Sequence, residues 1–538
     1  VQAAERLSGW DYATWRSATE DPIMRSTMIG LLVLDKSPDW DALLERYDRA
    51  SRTVPILRKR IVEGPVGIAN PRLVIDPNFD LSFHLRRFRV TEGTGWQDVL
   101  DEARRQSMTD FDNQRPLWRI TLLEGLPGGR AALISKLHHA IADGQGAMQL
   151  GAATVDLSAE SPDLGPMPEA PESVVLTPRG FAEIMVQDNS EWVLHTATRL
   201  IKGAVPAILD ALTAPQETVE RISETVSSLA RMANTPTSPL SPLMRKRSIN
   251  YHFGNFDIAF ADLRAAGKSR GHSVNDAFLA AVSIGMSEYH KALGEPVDEL
   301  NINMPISTRN KGAQAQNAVT IARFELPTNI SDVSSLMDNL QDSVRRLRAE
   351  PSMDYTNQLG EMSRFIPREL LTIAAQASDV TASNVPGPPI PVYLAGAKVE
   401  AMVPLPPPIG AAVFVALLTY NGTASLGVAM DDAAITDRDL LMSCLRAGFA
   451  EVIGKPVPAT NPLEQADAVV VRTPTSKSAA KKPTTKKPAV KKSVAKKPAV
   501  KKSVAKKTAV KKPAVKKAVA KKPAVKATAA KKAPATRT

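Results

Sequence analysis

The stretch Leu137-His138-His139-Ala140-Ile141-Ala142-Asp143-Gly144 decides how the rest of the chain is read. It sets two histidines side by side, an aspartate four residues after the second, and a glycine directly after that. The residues before it predict a β-hairpin: a strand over Trp118 to Glu124, a turn at Leu126-Pro127-Gly128-Gly129, and a returning strand from Arg130 to Leu137. Gly146 to Val155, just after it, predicts a helix start. The histidines therefore fall where a strand runs out into a loop, a common place for catalytic groups on a rigid scaffold. Neighbouring strand residues point to opposite faces, so only one of the two can face a given cleft. A neutral imidazole accepts a proton near pH 7, which makes a cleft histidine a natural general base. Asp143 is placed to orient a ring, hold the loop or pair with a cation, and Gly144 allows a tight backbone path. From these residues alone, two ordinary polar side chains at a strand end stay open beside a catalytic pair. A metal site is disfavoured, because no cysteine or further histidine lies close by and the chain has seven histidines in all.

Outward from this stretch, the chain carries Asp112, Pro116-Leu117-Trp118 and Leu123-Glu124-Gly125-Leu126 before it. After it come Ser273-Val274-Asn275-Asp276, Met304-Pro305-Ile306-Ser307-Thr308-Arg309, Ser383-Asn384-Val385-Pro386-Gly387-Pro388 and Tyr420-Asn421-Gly422. With the order H-H-x-x-x-D-G, these segments resemble the bacterial wax ester synthase/diacylglycerol acyltransferase family of the CoA-dependent acyltransferases, in the family's order, from about Leu7 to about Val457. The resemblance implies an α/β (α+β) fold class: two chloramphenicol-acetyltransferase-like lobes with mixed sheets and a central substrate channel, the histidine motif at its middle. It implies acyl-CoA as co-substrate, no metal or redox cofactor, and diacylglycerol or a long-chain alcohol as acceptor. His139 is then the general base, His138 shapes the loop or contacts substrate, and Asp143 orients. Gly144, Arg309, Asn275 and Asp276 support the site, with Arg309 as the candidate partner of Asp143 from the second lobe. Pro116, Leu117, Trp118, Ser383 and Asn384 are the candidate substrate contacts. Phe79, Asp80 and His84 match a further pattern of the family, which often has a tryptophan shortly before; here that stretch is Arg72-Leu73-Val74. His84 is read as structural.

Local chemistry bears on several of these residues independently. Ser273 followed three positions later by Asp276 is a capping-box pattern that explains Asp276 as a helix cap, while Asn275 has no such local account. Asn301 to Arg309 predicts a strand ending in a polar loop, and Arg309 carries a permanent cation with a planar fork. Ser383 to Pro388 predicts a turn-rich loop, as does Pro404 to Pro408. Ser383 and Asn384 there either donate to an acyl carbonyl or stabilise the loop. Val413 to Tyr420 alternates poorly, which suits a strand buried on both faces. Ile29 to Leu34 predicts a strand, Ser37-Pro38 a helix start, and Phe83 to Val90 an alternating strand. Cys444 lacks a Cys-His setting, so a thiol nucleophile is not expected.

At 538 residues the chain has room for two or three domains with proper cores, and its 43% hydrophobic content is that of a globular protein. One cysteine excludes an internal disulfide and fits a reducing compartment. No apolar run reaches the roughly 18–20 residues that a membrane span needs, and the first residues lack a signal-peptide pattern. The expectation is a cytoplasmic protein, peripheral on the inner membrane face or on lipid droplets. Residues 1–157 are expected to form the first lobe, 158–247 a linker and helical connection, 248–457 the second lobe, and 458–538 a disordered tail. Within the connection, Arg179 to Met232 shows helical periodicity that either packs on the lobes or touches a membrane.

The net charge of +12 hides a division. From Val471 onward there are 24 Lys and Arg and no acid; taking those 24 from the chain's 68 leaves 44 basic against 56 acidic residues in the body. From about Ser476 the chain is nearly all Lys, Ala, Val, Pro, Thr and Ser, with Lys-Lys pairs recurring every five residues, and it resembles linker-histone tails. Such a segment has little to bury and repels itself. Its expected partners are an anionic membrane or lipid-droplet surface, or DNA, by counterion release. No aromatic residue interrupts it, so base stacking is not expected.

Overall fold

The computed structural model describes residues 5–63, 71–160, 162–173, 236–307, 319–349, 368–459 and 462–463. Val1–Thr473 forms one compact unit; Pro474–Thr538, the basic tail, is a separate unit that lies outside the described residues, as do Arg309 and the periodic stretch over 179–232.

In the first part of the chain the strands are β1 (Glu5–Arg6), β2 (Thr27–Leu34), β3 (Lys59–Val62), β4 (Arg72–Ile75), β5 (Leu85–Arg89), β6 (Trp118–Glu124) and β7 (Ala131–His138). After the connection come β8 (Tyr251–Ala259), β9 (Glu299–Ser307), β10 (Val319–Pro327), β11 (Val380–Pro386), β12 (Tyr393–Leu394), β13 (Ala397–Leu405), β14 (Val413–Tyr420) and β15 (Thr423–Asp431). Two six-stranded mixed sheets result, in the orders β12-β13-β2-β7-β6-β5 and β10-β9-β11-β14-β15-β8, beside a small sheet β1-β4-β3.

The hairpin expected before the histidines is β6 and β7, antiparallel with Trp118 opposite Leu137. β7 is buried on both faces. Ala131, Leu133 and Leu137 enter the core shared with helix Trp40–Thr53, whereas Ala132 and Ile134 enter a second core beneath helix Trp96–Ser107. β2 splits its side chains the same way: Ile29, Leu31 and Val33 go to the second core and Leu34 to the first. β14 lies between parallel β11 and antiparallel β15, buried on both faces as its run of apolar residues foretold.

Three expectations are corrected. Phe83 does not begin a strand: Asp80 caps a short helix, Leu81–His84, by accepting from the Ser82 N–H at 2.9 Å, and the strand starts at Leu85. Ser383 to Pro386 is strand, not loop, because its backbone pairs with β14 up to Pro386. The second lobe is not contiguous in sequence: β12 and β13 join the first sheet, β13 running antiparallel to β2 with Val403 opposite Leu31. The helix after Ser37-Pro38 is present, though its cap is Asp39, which accepts from Ala42 N–H at 2.9 Å.

The two sheets are tied by a shared core. Val403 and Leu405 of β13, Phe414 and Ala416 of β14, and Tyr251 and Phe253 of β8 pack with Trp96, Val99 and Leu100. Trp96 Nε1 donates to Asn255 Oδ1 at 2.7 Å, and Ser107 Oγ and Tyr251 OH hydrogen-bond at 2.6 Å. Gly427 of β15 lies so close to β13 that a Cβ there would stand 1.5 Å from the Pro404 carbonyl oxygen.

Candidate active site

β7 ends at His138, whose N–H donates to Leu117 O at 3.0 Å; the His139 N–H then turns the other way, to Ser26 O at 2.8 Å. These opposed bonds carry the two imidazoles to opposite sides, as strand geometry requires. Ile141 N–H closes a turn on His138 O at 3.1 Å. Asp143 begins the next helix, Gly144–Ala152: its Oδ1 accepts from Gly146 N–H at 2.6 Å and its carbonyl from Ala147 N–H at 2.7 Å. A carboxylate at a helix N-terminus is favoured by the macrodipole as well as by the cap.

His138 is buried. Its Nδ1 accepts from the Ala140 N–H at 3.0 Å, and its ring meets the edges of Trp15 and Phe111 at centroid distances of 5.5 and 6.0 Å. Burial first, then His139 and Lys136, push its pKa down to about 3. It is therefore a neutral structural ring, holding the turn that presents its neighbour. His139 is half-buried, and desolvation lowers its pKa from the ordinary value while Asp143 opposes the shift. An imidazole held neutral at pH 7 in a partly shielded setting is chemically equipped to accept a proton.

Gly144 brings the second lobe to this loop. A Cβ at Gly144 would lie 3.0 Å from Val385 Cγ2, so the H-H-x-x-x-D-G turn and the Ser383-Asn384-Val385 strand meet. Val385 and Ser383 share one face of β11; Asn384 points to the other. The cores agree: Leu418, opposite Val385, packs in the first lobe, and Leu417, opposite Asn384, in the second. Of the two candidate substrate contacts, Ser383 is thus on the histidine side. β11 pairs with β9 at Val380 and Thr381 and with β14 along its whole length, so β9 and β11 part company beside the histidine turn.

The remaining candidates sort by position. Pro116, Leu117 and Trp118 are buried within the first lobe; Trp118 Nε1 donates to Leu57 O at 2.7 Å, and Leu117 supplies the carbonyl that holds His138. His84 is buried and stacked on Trp118 at 4.3 Å, its Nδ1–H donating to Trp118 O at 2.8 Å, with burial pushing its pKa to about 4. Asp276 completes a capping box with Ser273 and accepts from Gln341 Nε2 at 3.3 Å. Asn275 Nδ2 reaches Met304 Sδ at 3.7 Å and ties its helix, Val274–Ala292, to β9. The Cys444 thiol is buried and its pKa is raised by that burial. Among the described residues no three His, Cys, Asp or Glu side chains converge as a metal site.

Sequence reasoning missed Lys136, 1% exposed and two residues before His138 on the same face of β7. Its Nζ donates to Thr109 O at 2.6 Å and stands 4.2 Å from the centre of the Phe111 ring. The signal was a lone lysine inside a mostly apolar strand.

The wax ester synthase/diacylglycerol acyltransferase catalytic domain matches residues 7–278, and the C-terminal domain of the same family matches residues 315–452. A putative diacylglycerol O-acyltransferase of Mycobacterium tuberculosis is 34% identical over 470 residues, covering 85% of this chain and 94% of that protein. A second from the same organism is 26% identical over 471 residues, covering 81% of this chain and 94% of its own. Among solved structures, the wax ester synthase/diacylglycerol acyltransferase from Marinobacter aquaeolei VT8 superposes with TM-score 0.55 at 19% identity, covering 83% of this chain and 98% of that one. The first condensation domain of the calcium-dependent antibiotic synthetase superposes with TM-score 0.55 at 14% identity, covering 85% of this chain and 97% of that one. These two fix the fold as the two-lobed condensation-domain type. With both family domains matched in order around the histidine turn, the chain belongs to the wax ester synthase/diacylglycerol acyltransferase family.

Proposed function

We propose that the protein transfers a long-chain acyl group from acyl-CoA to the free hydroxyl of 1,2-diacylglycerol, with long-chain alcohols as secondary acceptors, by direct general-base catalysis from His139. The observation that carries this reading is the contrast between the two histidines: His138 is locked among aromatic rings with its Nδ1 engaged, while His139 is only half-buried and held neutral beside Asp143. An alcohol is a poor nucleophile at pH 7. His139 takes its proton as the oxygen forms a bond to the thioester carbon; the tetrahedral intermediate collapses, the carbon–sulfur bond breaks, and the proton passes to the leaving thiolate. Such catalysis typically contributes about 10²–10⁴-fold. No acyl-enzyme is required. Asp143 holds the turn, Ser383 faces the reacting groups from the second lobe, and Arg309 completes the partnership with Asp143. The acceptor is a lipid, and the 24 basic residues of the tail suit it to an anionic membrane or lipid-droplet surface, with DNA as the competing ligand.

The test is radiolabelled palmitoyl-CoA with dioleoylglycerol, and hexadecanol in parallel. Triacylglycerol forms with the wild-type chain and falls by at least about 10²-fold in His139→Ala at unchanged folding. Equal product from both proteins refutes the assignment of the base, and no product from either leaves a binding protein with an idle body.

A further inference from the structure

We propose that Lys136 is a positioning residue for the proposed base: its ammonium fastens the loop from Thr109 to Phe111 across His138 and so fixes the turn that presents His139. The inference rests on His139 acting as the base. Three consecutive loop residues are each tied down beside the histidines. Lys136 Nζ donates to Thr109 O at 2.6 Å. Arg25 Nε donates to Asp110 Oδ1 at 2.6 Å. The centre of the Phe111 ring lies 4.2 Å from the Lys136 ammonium, and the same ring meets the His138 imidazole in a T-shaped contact at 6.0 Å. The start of the loop is held as well: Ser107 Oγ donates to Thr27 O at 3.4 Å and hydrogen-bonds with Tyr251 OH at 2.6 Å. Every anchor adjoins a group that shapes the turn. Arg25 precedes Ser26, whose carbonyl accepts the His139 N–H at 2.8 Å. Thr27 stands opposite His138, and Lys136 lies two residues before His138 on the same face of β7.

The choice of lysine is what points to a role beyond filling space. Lys136 is 1% exposed, and a methionine would occupy the same volume without desolvating a charge. What the lysine alone supplies is two charge-dependent contacts, one to a carbonyl and one to a ring face. The groups that face the ammonium are Arg119, opposite it on β6, Arg25 before β2, Asp110 in the loop and His138 on β7 itself. Arg119 and Arg25 are cations and His138 is neutral; Asp110, which opposes them, is already paired with Arg25. Burial first, then this surplus of positive charge, pushes the Lys136 pKa down to about 7. Tyr251, at the start of the loop, is pushed up to about 12 by burial and stays neutral. A deprotonated Lys136 keeps a weaker hydrogen bond to Thr109 O and loses its attraction to the Phe111 ring. The clamp is therefore closed while the lysine is charged and slackens as pH rises through its pKa. Acyl transfer then has an alkaline limb that comes from a residue remote from the reacting atoms.

The experiment uses the full chain as wild type, Lys136→Met, Phe111→Leu and the double variant. Transfer from palmitoyl-CoA to dioleoylglycerol is followed across the neutral and alkaline range. Carbethoxylation of His138 by diethylpyrocarbonate is mapped by mass spectrometry at pH 6.5, and urea midpoints are recorded alongside. At pH 6.5 each single variant is expected to lower kcat about tenfold at unchanged KM, the effect of a displacement of a fraction of an ångström at a reacting group. Both act through one contact, so the double variant should be no slower than the slower single. The alkaline decline of kcat seen in the wild type should vanish in Lys136→Met. His138, shielded in the wild type, should become reactive in both singles. Wild-type kcat in Lys136→Met overturns the proposal, as does a double variant at the product of the singles, or an alkaline limb that persists without the lysine. A lowered urea midpoint with unchanged kcat and pH profile shows a merely structural lysine and also overturns it. Where Lys136→Met does not fold, Phe111→Leu at its half-buried loop position carries the same test, and wild-type kcat in it is refuting. If no protein transfers an acyl group, the reading of His139 as base fails. The clamp is then judged by His138 alone: equal carbethoxylation in wild type and both singles overturns it, and shielding lost in both upholds it.

Discussion

Gly144→Ala adds one methyl group where the first lobe meets the second. The new Cβ would lie 3.0 Å from Val385 Cγ2 and 3.8 Å from Cγ1. Comfortable carbon–carbon contact begins near about 3.5 Å, so something must yield by roughly 0.5 Å. Val385 has little freedom: its χ1 is stiff as a β-branched residue, and its strand is locked to β14 opposite Leu418. Overpacking of this size typically costs about 1–3 kcal/mol, and replacing glycine at a helix start returns up to about 1 kcal/mol. The net loss of stability is therefore small and the fold persists. Activity is more sensitive. Asp143 caps the helix that Gly144 begins, and His139 sits in the same turn. A misplacement of about 1 Å at a reacting group can cost about 10²-fold, so half that displacement should lower kcat about tenfold. Val385→Ala removes the obstructing methyls, and the double variant should recover most of the loss, a coupling of about 1 kcal/mol in activation free energy. The assay is steady-state transfer to dioleoylglycerol in all four proteins of the cycle, with unfolding midpoints alongside. Wild-type kcat in Gly144→Ala, or a double variant no better than the product of the singles, refutes the contact between the histidine turn and β11.

Further outcomes follow from the buried charges. Because burial lowers the His139 pKa below its ordinary value of 6.5, and the proposed base acts as the neutral ring, kcat/KM should fall on the acid side with a midpoint below 6.5; a midpoint at 7 or higher contradicts the placement. Lys136 is pushed by burial to about 7 in the folded protein against about 10.5 unfolded. Its charge penalty is then fully present below pH 7 and is relieved as pH rises from 7 towards 10.5, so wild-type stability should gain on that of Lys136→Met across that window in urea melts. Equal pH dependence in the two proteins would show the lysine to be solvated. Arg46 and Asp156 form an ion pair at 2.6 Å with both side chains under 10% exposed. Arg46→Met strands the carboxylate and should cost about 3–5 kcal/mol by denaturant unfolding; a loss under 1 kcal/mol would mean that Asp156 finds water.

What was legible in the sequence was whatever local pattern dictates. The β6–β7 hairpin, the helix that Ser273 and Asp276 cap, and the doubly buried β14 follow from turn residues, capping chemistry and apolar runs that act over a few positions. The neighbouring histidines could be assigned to opposite faces from strand alternation alone, and the backbone bonds to Leu117 and Ser26 agree. What failed was long-range pairing. Ser383 to Pro386 looks like a turn because of its proline and polar residues, yet its partner strand holds it extended. Nothing near Ala397 to Leu405 says that it will leave its own half of the chain to pair with β2. The aromatic wall around His138 was equally invisible, since Trp15 and Phe111 reach it from distant helix and loop positions. The stacking of three arginines on Phe83 belongs to the same class of unseen arrangement.

The crossing of β13 gives this strand exchange a mechanical role. If the lobes were joined only by a linker, their faces would resemble a transient interface and slide easily. Instead β13 extends the first sheet through β2 while its Pro404 carbonyl presses on Gly427 of β15 in the second, a contact that only a glycine permits. β2 pairs in turn with β7, Thr27 standing opposite His138, and Ser26 holds the His139 N–H. From the second sheet, β11 reaches the same turn through Val385. The histidine turn is therefore fixed by both lobes along two separate routes, through the sheet and through the β11 contact. A catalytic geometry needing tolerances of about half an ångström can be held between two lobes when covalent continuity and sheet register, rather than side-chain packing alone, set their spacing. Widening the β13–β15 crossing by Gly427→Ala should accordingly abolish transfer together with the cooperative unfolding of the body, whereas Gly144→Ala should depress transfer and leave unfolding cooperative.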